Sequence, residues 1–353
     1  GVQSEVVGVR QFAIEVHAAL ELCHFFHTAH IFALSNDNRS SGMIGKKQNM
    51  SKKMSACDLC PRECRADRNA GKKGFCGMDA GIYLARAALH MWEEPCISGT
   101  KGSGAVFFSG CGLRCCFCQN HDIAIGSRGR AVSVERLGEI FLELKEKGAA
   151  NINLVTGAHY VPQIIEALDM ARRNGLDIPV VYNSSGYEKT ETLKLLEGYV
   201  DIYLPDLKYL DPELAQKFSH APDYVQAAKA AIGEMVRQTG KCEFGEDGYI
   251  RKGTIVRHLI LPGHTGNSIK VLRYLHETYG EDIYISIMNQ YTPVREFGEF
   301  KELNRKVTKR EYEKILDAAV EMGIQNGFIQ EGETASESFI PEFDYEGVEK
   351  NTP

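Results

Sequence analysis

Residues 110–122 read GCGLRCCFCQNHD. Four cysteines, Cys111, Cys115, Cys116 and Cys118, fall within this short run. Packing alone gives a reduced chain no reason to crowd thiols in this way, so the stretch is read as a ligand loop. Cys111, Cys115 and Cys118 form C-x3-C-x2-C, and thiolates at this spacing can wrap a compact iron–sulfur cube. Three protein ligands leave one iron open to a small molecule, as an open catalytic zinc site keeps one position free. Cys116 adjoins Cys115, and consecutive side chains diverge. It is therefore expected to point away and pack as a small apolar residue. A four-cysteine zinc knot is the rival reading, but the loop is too short to close a good tetrahedron with adjacent cysteines.

Outward from the loop, the preceding residues 105–110, AVFFSG, read as a strand. Helical periods then alternate with short β-branched runs. The helix expected over 132–148 has Ser133 as its N-cap and Gly148 just past its end. Further strands are expected at 151–156, 179–183, 201–205, 254–261 and 283–288, with a last short one at 327–330. Helices are expected at 160–174, 188–197, 211–218, 222–237, 267–278 and 308–322. Single helices between strands imply parallel βαβ units. Six units are too few for a closed eight-fold barrel. The fold expected is α/β, a partial (β/α)6 barrel preceded by a cysteine-rich metal-binding segment, with an open doubly wound sheet as the alternative. Function then belongs to the loops after the strands' C-terminal ends, where the cysteine loop lies.

The chain has 353 residues, a net charge of −6, 43% hydrophobic and 25% charged residues, values of a globular protein. No global positive field draws in nucleic acid, so no nucleic-acid substrate is expected. The eleven cysteines are clustered, which favours metal ligation over a disulfide framework and implies a reducing, cytoplasmic setting. Residues 12–34 are apolar but carry Glu15, Glu21 and four histidines, a poor signal peptide and a poor membrane span. His24, His27 and His30 sit at three-residue spacing. Residues 1–49 are nevertheless read as an extension without function, 50–103 as the cysteine-rich segment, 104–330 as the barrel and 331–353 as an acidic tail without chemistry. Cys23 and Cys242 are isolated and read as inert.

A second block, CDLCPRECRADRNAGKKGFCG, holds Cys57, Cys60, Cys64 and Cys76 in the order C-x2-C-x3-C-x11-C. Four thiolates close a site completely, which suits structural zinc or an auxiliary iron–sulfur cluster. A redox dithiol of Cys57 and Cys60 would leave two cysteines unexplained.

The C-x3-C-x2-C loop after a first strand, with Phe117 before its last cysteine, resembles the radical S-adenosylmethionine (SAM) enzymes. The QNHD that follows is similar to the continuation in activating enzymes of glycyl radical enzymes. Three further stretches resemble the pyruvate formate-lyase activating enzyme branch. PDLKY at 205–209 is similar to its Asp-x-Lys motif and maps SAM binding onto Asp206 and Lys208. RHLILPG at 257–263 is similar to its Arg-x4-Pro-Gly strand, and maps onto Arg257. YNSSGY at 182–187 stands at its third-strand segment, with Asn183 and Ser184 in place of Asp-Thr. VTGAHY at 155–160 stands at its Gly-Gly-Glu turn for the SAM amino group. No glutamate is present there, so the backbone around Thr156 and Gly157 is what can serve. The block containing CPREC, together with EEPCISG at 93–99, is similar to a branch of homologues of that activating enzyme.

The resemblance covers about residues 104–330. It implies a [4Fe–4S] cluster on Cys111, Cys115 and Cys118 that reductively cleaves SAM to a 5′-deoxyadenosyl radical for hydrogen abstraction. It further implies a glycyl radical enzyme as substrate protein and a flavodoxin or ferredoxin-type reductant. Two other functions stay open. One is the same chemistry on a small molecule or another peptide, with His159, His258, Gln290 and Tyr291 as candidate pocket residues. The other is a non-catalytic zinc-binding adaptor. Cys96 is read as a buried structural thiol.

Overall fold

The computed structural model describes residues 9–11, 53–330 and 341–350. The His24, His27 and His30 triplet and Cys23 lie outside the described residues, as does most of the 1–49 extension. The strands in chain order are β1 (Val9–Gln11), β2 (Ile82–His90), β3 (Ser103–Phe108), β4 (Arg130–Val132), β5 (Ile152–Val155), β6 (Val180–Ser184), β7 (Ile202–Pro205), β8 (Glu243–Phe244), β9 (Ile250–Leu259), β10 (Tyr284–Met288) and β11 (Gly327–Gln330). They form one sheet in the order β1-β11-β10-β9-β7-β6-β5-β3-β2-β4, with β8 pairing β9 at the side. From β3 to β11 every neighbouring pair along this path is parallel. The two ends carry antiparallel strands, β1 on β11 and β2 on β3, followed by β4 on β2. The path runs open from one end to the other, a partial barrel wrapped by helices.

Local chemistry explains the elements. β3 is buried along its whole length, as a parallel strand covered on both faces must be. The helix Val134–Glu146 starts where the Ser133 side chain accepts from the Arg136 amide, and Gly148 follows its end at φ 86°. The helix Lys309–Glu321 opens with a full capping box between Thr308 and Glu311. Glu311 also accepts from the Gly263 amide and from Arg305, so this cap ties the helix to the turn after β9. Thr308→Ala is expected to lower stability by about 1 kcal/mol, or roughly 2–4 °C in Tm for a chain of this size. A thermal melt at fixed pH checks it.

β2 escapes the sequence pattern. IYLARAALH is rich in alanine and alternates only loosely, yet it buries Ile82, Leu84, Ala85, Ala87 and Ala88. Its antiparallel run on β3 puts His90 opposite Ser103, at the N-terminal end of the parallel strands. The chain then turns into the short helix Pro95–Ser98, whose Cys96 and Ile97 pack among Val181, Ile202, Leu204, Ile255 and Phe328. This segment forms the barrel floor. Asn151 fastens it by donating to the Ile97 carbonyl at 2.8 Å. Cys96 is thus a buried structural thiol, and burial raises its pKa.

Residues 341–350 run beside β2, on the edge that β4 leaves unpaired. The Ala87 amide donates to the Glu346 carbonyl and the Tyr345 amide to the Ala85 carbonyl. Arg86 pairs with Asp344 and Glu346, and Val348 is buried. Among the described residues no helix is long and apolar enough to cross a membrane.

Candidate active site

The loops after the parallel strands converge on one cavity of about 240 Å³. β3 leads straight into the cysteine loop. Its first turn is held by the Gly110 amide, which donates to the Ile123 carbonyl at 2.7 Å, and by His159, whose Nε2 lies 2.8 Å from the Ser109 carbonyl. Gly110 sits at φ 91°, and a Cβ there would meet Met78 Cγ at 2.5 Å and the Cys76 carbonyl at 2.9 Å. Glycine is therefore required by both conformation and space.

Cys111, Cys115 and Cys118 line the cavity, and Cys116 does not. The Cys118 amide donates to the Cys115 carbonyl, closing a tight turn. Ser219 Oγ donates to Cys115 Sγ at 3.0 Å, and the Leu113 amide lies 3.3 Å from Cys111 Sγ. Phe117 packs edge-on against Phe218 and Tyr291 behind the loop. Cys116 leans on the same apolar cluster, and burial pushes its thiol up to about 11. Burial also raises Cys115 and Cys118, with Lys208 pulling Cys115 partly back. Buried thiols of this kind become thiolates when a metal centre supplies the compensating charge. Among the described residues no three Cys, His, Asp or Glu side chains reach the spacing of a single metal ion. A cube does not ask for that convergence, because its cysteines bind separate irons. The loop's donor set and its opening onto the cavity fit such a cluster.

Across the cavity lies a buried charge network. Lys208 Nζ donates to Asp206 Oδ2 at 2.5 Å, and Arg257 Nε donates to Asp206 Oδ1 at 3.0 Å. Arg257 also donates to Asn183 Oδ1 at 2.6 Å and to Glu93 Oε2 at 3.1 Å. Glu93 Oε1 accepts from Asn153 and Asn183 at 3.0 and 3.1 Å. Burial opposes each charge, but the partners outweigh it: Asp206 is held below the usual carboxylate range, and Lys208 and Arg257 are held above theirs. The Asp206 backbone bridges to Arg257, which fixes the pair to adjacent strands β7 and β9. Gly186 turns tightly beneath them, since a Cβ there would meet the Asp206 carbonyl at 2.1 Å.

Of the residues singled out in the sequence, Thr156, Asn183, Ser184, Asp206, Lys208 and Arg257 all line this cavity with the three cysteines. Thr156 adopts φ 63°, whereas Gly157 beside it is not part of the cavity lining, and a Cβ there would meet the Cδ1 end of the Ile164 side chain at 2.7 Å. Of the four candidate pocket residues, only Gln290 reaches the cavity. His258 is buried behind the wall between the Leu207 carbonyl and Ser268, and its pKa falls to about 4 because of burial. Tyr291 is spent on the Leu303 carbonyl, and His159 on the loop start.

Sequence reasoning missed Glu93 and Glu94. Both face the cavity from the floor segment. Glu93 is paired, whereas Glu94 Oε2 has no hydrogen-bond partner although the residue is only 6% exposed. The sequence shows two adjacent carboxylates ahead of a Pro-Cys step, but nothing local says where the fold brings them.

The upstream cysteines pack directly against this site. Cys60, Cys76, Cys111 and Gly112 line one small crevice. A Cβ on Gly112 would lie 3.6 Å from Cys60 Sγ, and one on Gly74 would lie 3.1 Å from Cys64 Sγ and 3.5 Å from Cys76 Sγ. Arg62 grips the cysteine loop from this block, donating to the carbonyls of Gly112, Leu113, Ser219 and His220. Arg68 is fully buried and joins Cys57 Sγ to the Asp79 and His159 carbonyls. Burial pushes Cys60 up to about 12, with Cys76 and Cys57 adding to it.

Residues 105–275 match the radical SAM superfamily. An uncharacterized protein of Methanocaldococcus jannaschii is 27% identical over 271 residues, 74% of each chain. The pyruvate formate-lyase-activating enzyme of Clostridium pasteurianum is 27% identical over 113 residues, 31% of this chain and 46% of that one. The crystal structure of Streptococcus suis SuiB bound to precursor peptide SuiA is 13% identical, with a TM-score of 0.42. That match covers 88% of this chain and 58% of SuiB, so the chain spans less than two thirds of that protein.

Proposed function

We propose that this chain, whose residues 105–275 belong to the radical SAM superfamily, uses the cavity described above to abstract hydrogen from a substrate. The family implies a [4Fe–4S] cluster and SAM. When bound, they supply one-electron reductive cleavage of the SAM sulfonium to methionine and a 5′-deoxyadenosyl radical. The observation that carries the reading is selective: three of the four loop cysteines face the cavity, in the C-x3-C-x2-C order, opposite Asp206, Lys208 and Arg257. The chain's own residues then have distinct tasks. Cys111, Cys115 and Cys118 hold the cluster. Lys208, backed by Asp206, offers its ammonium to the SAM carboxylate, and Arg257 keeps Asp206 ionised. The backbone at Thr156 and Gly157 receives the SAM amino group, and Asn183 and Ser184 complete that wall. Walls this well buried keep water from a reactive intermediate.

The substrate favoured by resemblance is a glycine in a partner glycyl radical enzyme, with a flavodoxin or ferredoxin-type reductant. The identity to the clostridial activating enzyme and the open barrel support it. A small molecule or another peptide is the second reading. It is favoured by the carboxylates on the barrel floor, which a plain glycyl segment does not call for. For the upstream block, an auxiliary cluster on Cys57, Cys60, Cys64 and Cys76 is preferred to zinc, because the chain already relies on iron–sulfur assembly and the Cys60–Pro61 step resembles ferredoxin-type loops.

Lys208→Ala tests the SAM assignment. Asp206 keeps Arg257 as partner in this variant, so the network survives. SAM affinity should fall about ten- to a hundred-fold, as for loss of one charge-assisted contact, while iron content stays at the wild-type level. Wild-type SAM affinity in Lys208→Ala would refute the assignment.

A further inference from the structure

Among the buried charges that line the cavity, the carboxyl groups of Asp206, Glu93 and Glu94 outnumber the cations Arg257 and Lys208 by one; Arg114, the other cation of the lining, is exposed and donates to the Phe75 carbonyl. Arg257 and Lys208 are taken up by Asp206 and Glu93. Glu94 remains. Burial raises the pKa of its carboxyl group and Glu93 adds to this, while Arg257 and a hydrogen bond from the Ser286 hydroxyl oppose it. Its second oxygen, Oε2, is buried, borders the cavity and has no partner. A buried acceptor left without a donor costs roughly 1–3 kcal/mol, so such a group in a cavity marks a place where a ligand supplies the donor.

Position decides which ligand. Ser286 lies on β10, whose register partner on β9 is Arg257. The Thr156–Gly157 turn follows β5, and β6, β7 and β9 separate it from β10 in the sheet. Glu94 therefore stands on the opposite wall from the turn assigned to the SAM amino group. It also rises from the floor, whereas the cysteines hang from the rim. The chemistry narrows the choice further. One free carboxylate oxygen suits a compact ammonium, while a guanidinium asks for two parallel acceptors.

We propose that Glu94 is a substrate-binding residue that holds a primary ammonium group of the substrate at the inner end of the barrel cavity. This rests on the reading of the cavity as the reaction chamber and adds the charge of what enters it. The floor segment serves as a fixed seat: Asn151 and the apolar Cys96 and Ile97 anchor it, and Glu94 presents the carboxyl group, whose ionised form an incoming ammonium stabilises.

The test uses the full chain, anaerobically reconstituted and loaded with SAM, in amine-free buffer. Isothermal titration compares n-butylammonium with n-butanol and n-butylguanidinium. Wild-type protein should bind n-butylammonium at least tenfold more tightly than either control. Glu94→Gln, which keeps the shape and removes the charge, should weaken n-butylammonium at least tenfold. Equal binding of amine and alcohol by wild-type protein would overturn the proposal without any variant, as would unchanged amine affinity in Glu94→Gln. A loss of SAM affinity in Glu94→Gln as large as the loss of amine affinity would also overturn it, since Glu94 would then serve the cofactor. Formation of 5′-deoxyadenosine by wild-type protein is measured alongside. Its absence would refute the radical reading, while amine selectivity is read from binding alone.

Discussion

Cys115→Ala is expected to yield folded protein that has lost the cavity cluster, about four irons per chain, and all SAM cleavage. Cys115 opens the loop's tight turn and faces the cavity, with Ser219 donating to its sulfur. Cys111→Ala and Cys118→Ala should behave in the same way. Cys116→Ala should keep both cluster and activity, because its side chain lies outside the cavity. Iron analysis and electron paramagnetic resonance of the reduced proteins separate these outcomes. Loss of the cluster in Cys116→Ala alone would sink the ligand assignment. The upstream block makes the control informative: if Cys57, Cys60, Cys64 and Cys76 hold a second cluster, Cys115→Ala retains about four irons rather than none.

Arg257→Ala should be among the most damaging single changes to stability. It strands Glu93 beneath the cavity with only two amide donors and strips Asp206 of one of its two cations. Breaking one side of a buried pair typically costs 3–5 kcal/mol, because an uncompensated charge remains. For a chain of this size that is a drop of roughly 6–20 °C in Tm. Adding Glu93→Gln to Arg257→Ala removes the stranded charge and should recover part of the loss. A double variant less stable than Arg257→Ala would show that the charge is not the source of the damage.

The alternating core of the fold was legible because the parallel strands are short and apolar and are separated by helical periods, two of which open on a readable cap, Ser133 and Thr308. β2 was not. Its alanines carry little strand preference, and its strand character comes from pairing with β3 and from residues 345–346, which bond the backbone of its other edge. The same gap hid two carboxylates of the site. The cysteines, Asp206, Lys208 and Arg257 announce themselves by motif and spacing. Glu93 and Glu94 reach the cavity only because an antiparallel strand carries the chain to the bottom of the barrel, a long-range placement that no local pattern encodes. His258 misled for the converse reason. It follows Arg257 directly, so β-strand alternation turns it away from the cavity that Arg257 faces.

The central claim is that the three-cysteine loop and the charge network facing it form one SAM-cleaving site. The most direct measurement takes anaerobically reconstituted protein, reduces it with dithionite in the presence of SAM, and quantifies 5′-deoxyadenosine and methionine by mass spectrometry. The account predicts equal amounts of both products in wild-type protein and neither in Cys115→Ala. Cluster-replete, folded wild-type protein that binds SAM and releases no 5′-deoxyadenosine under these conditions would contradict it.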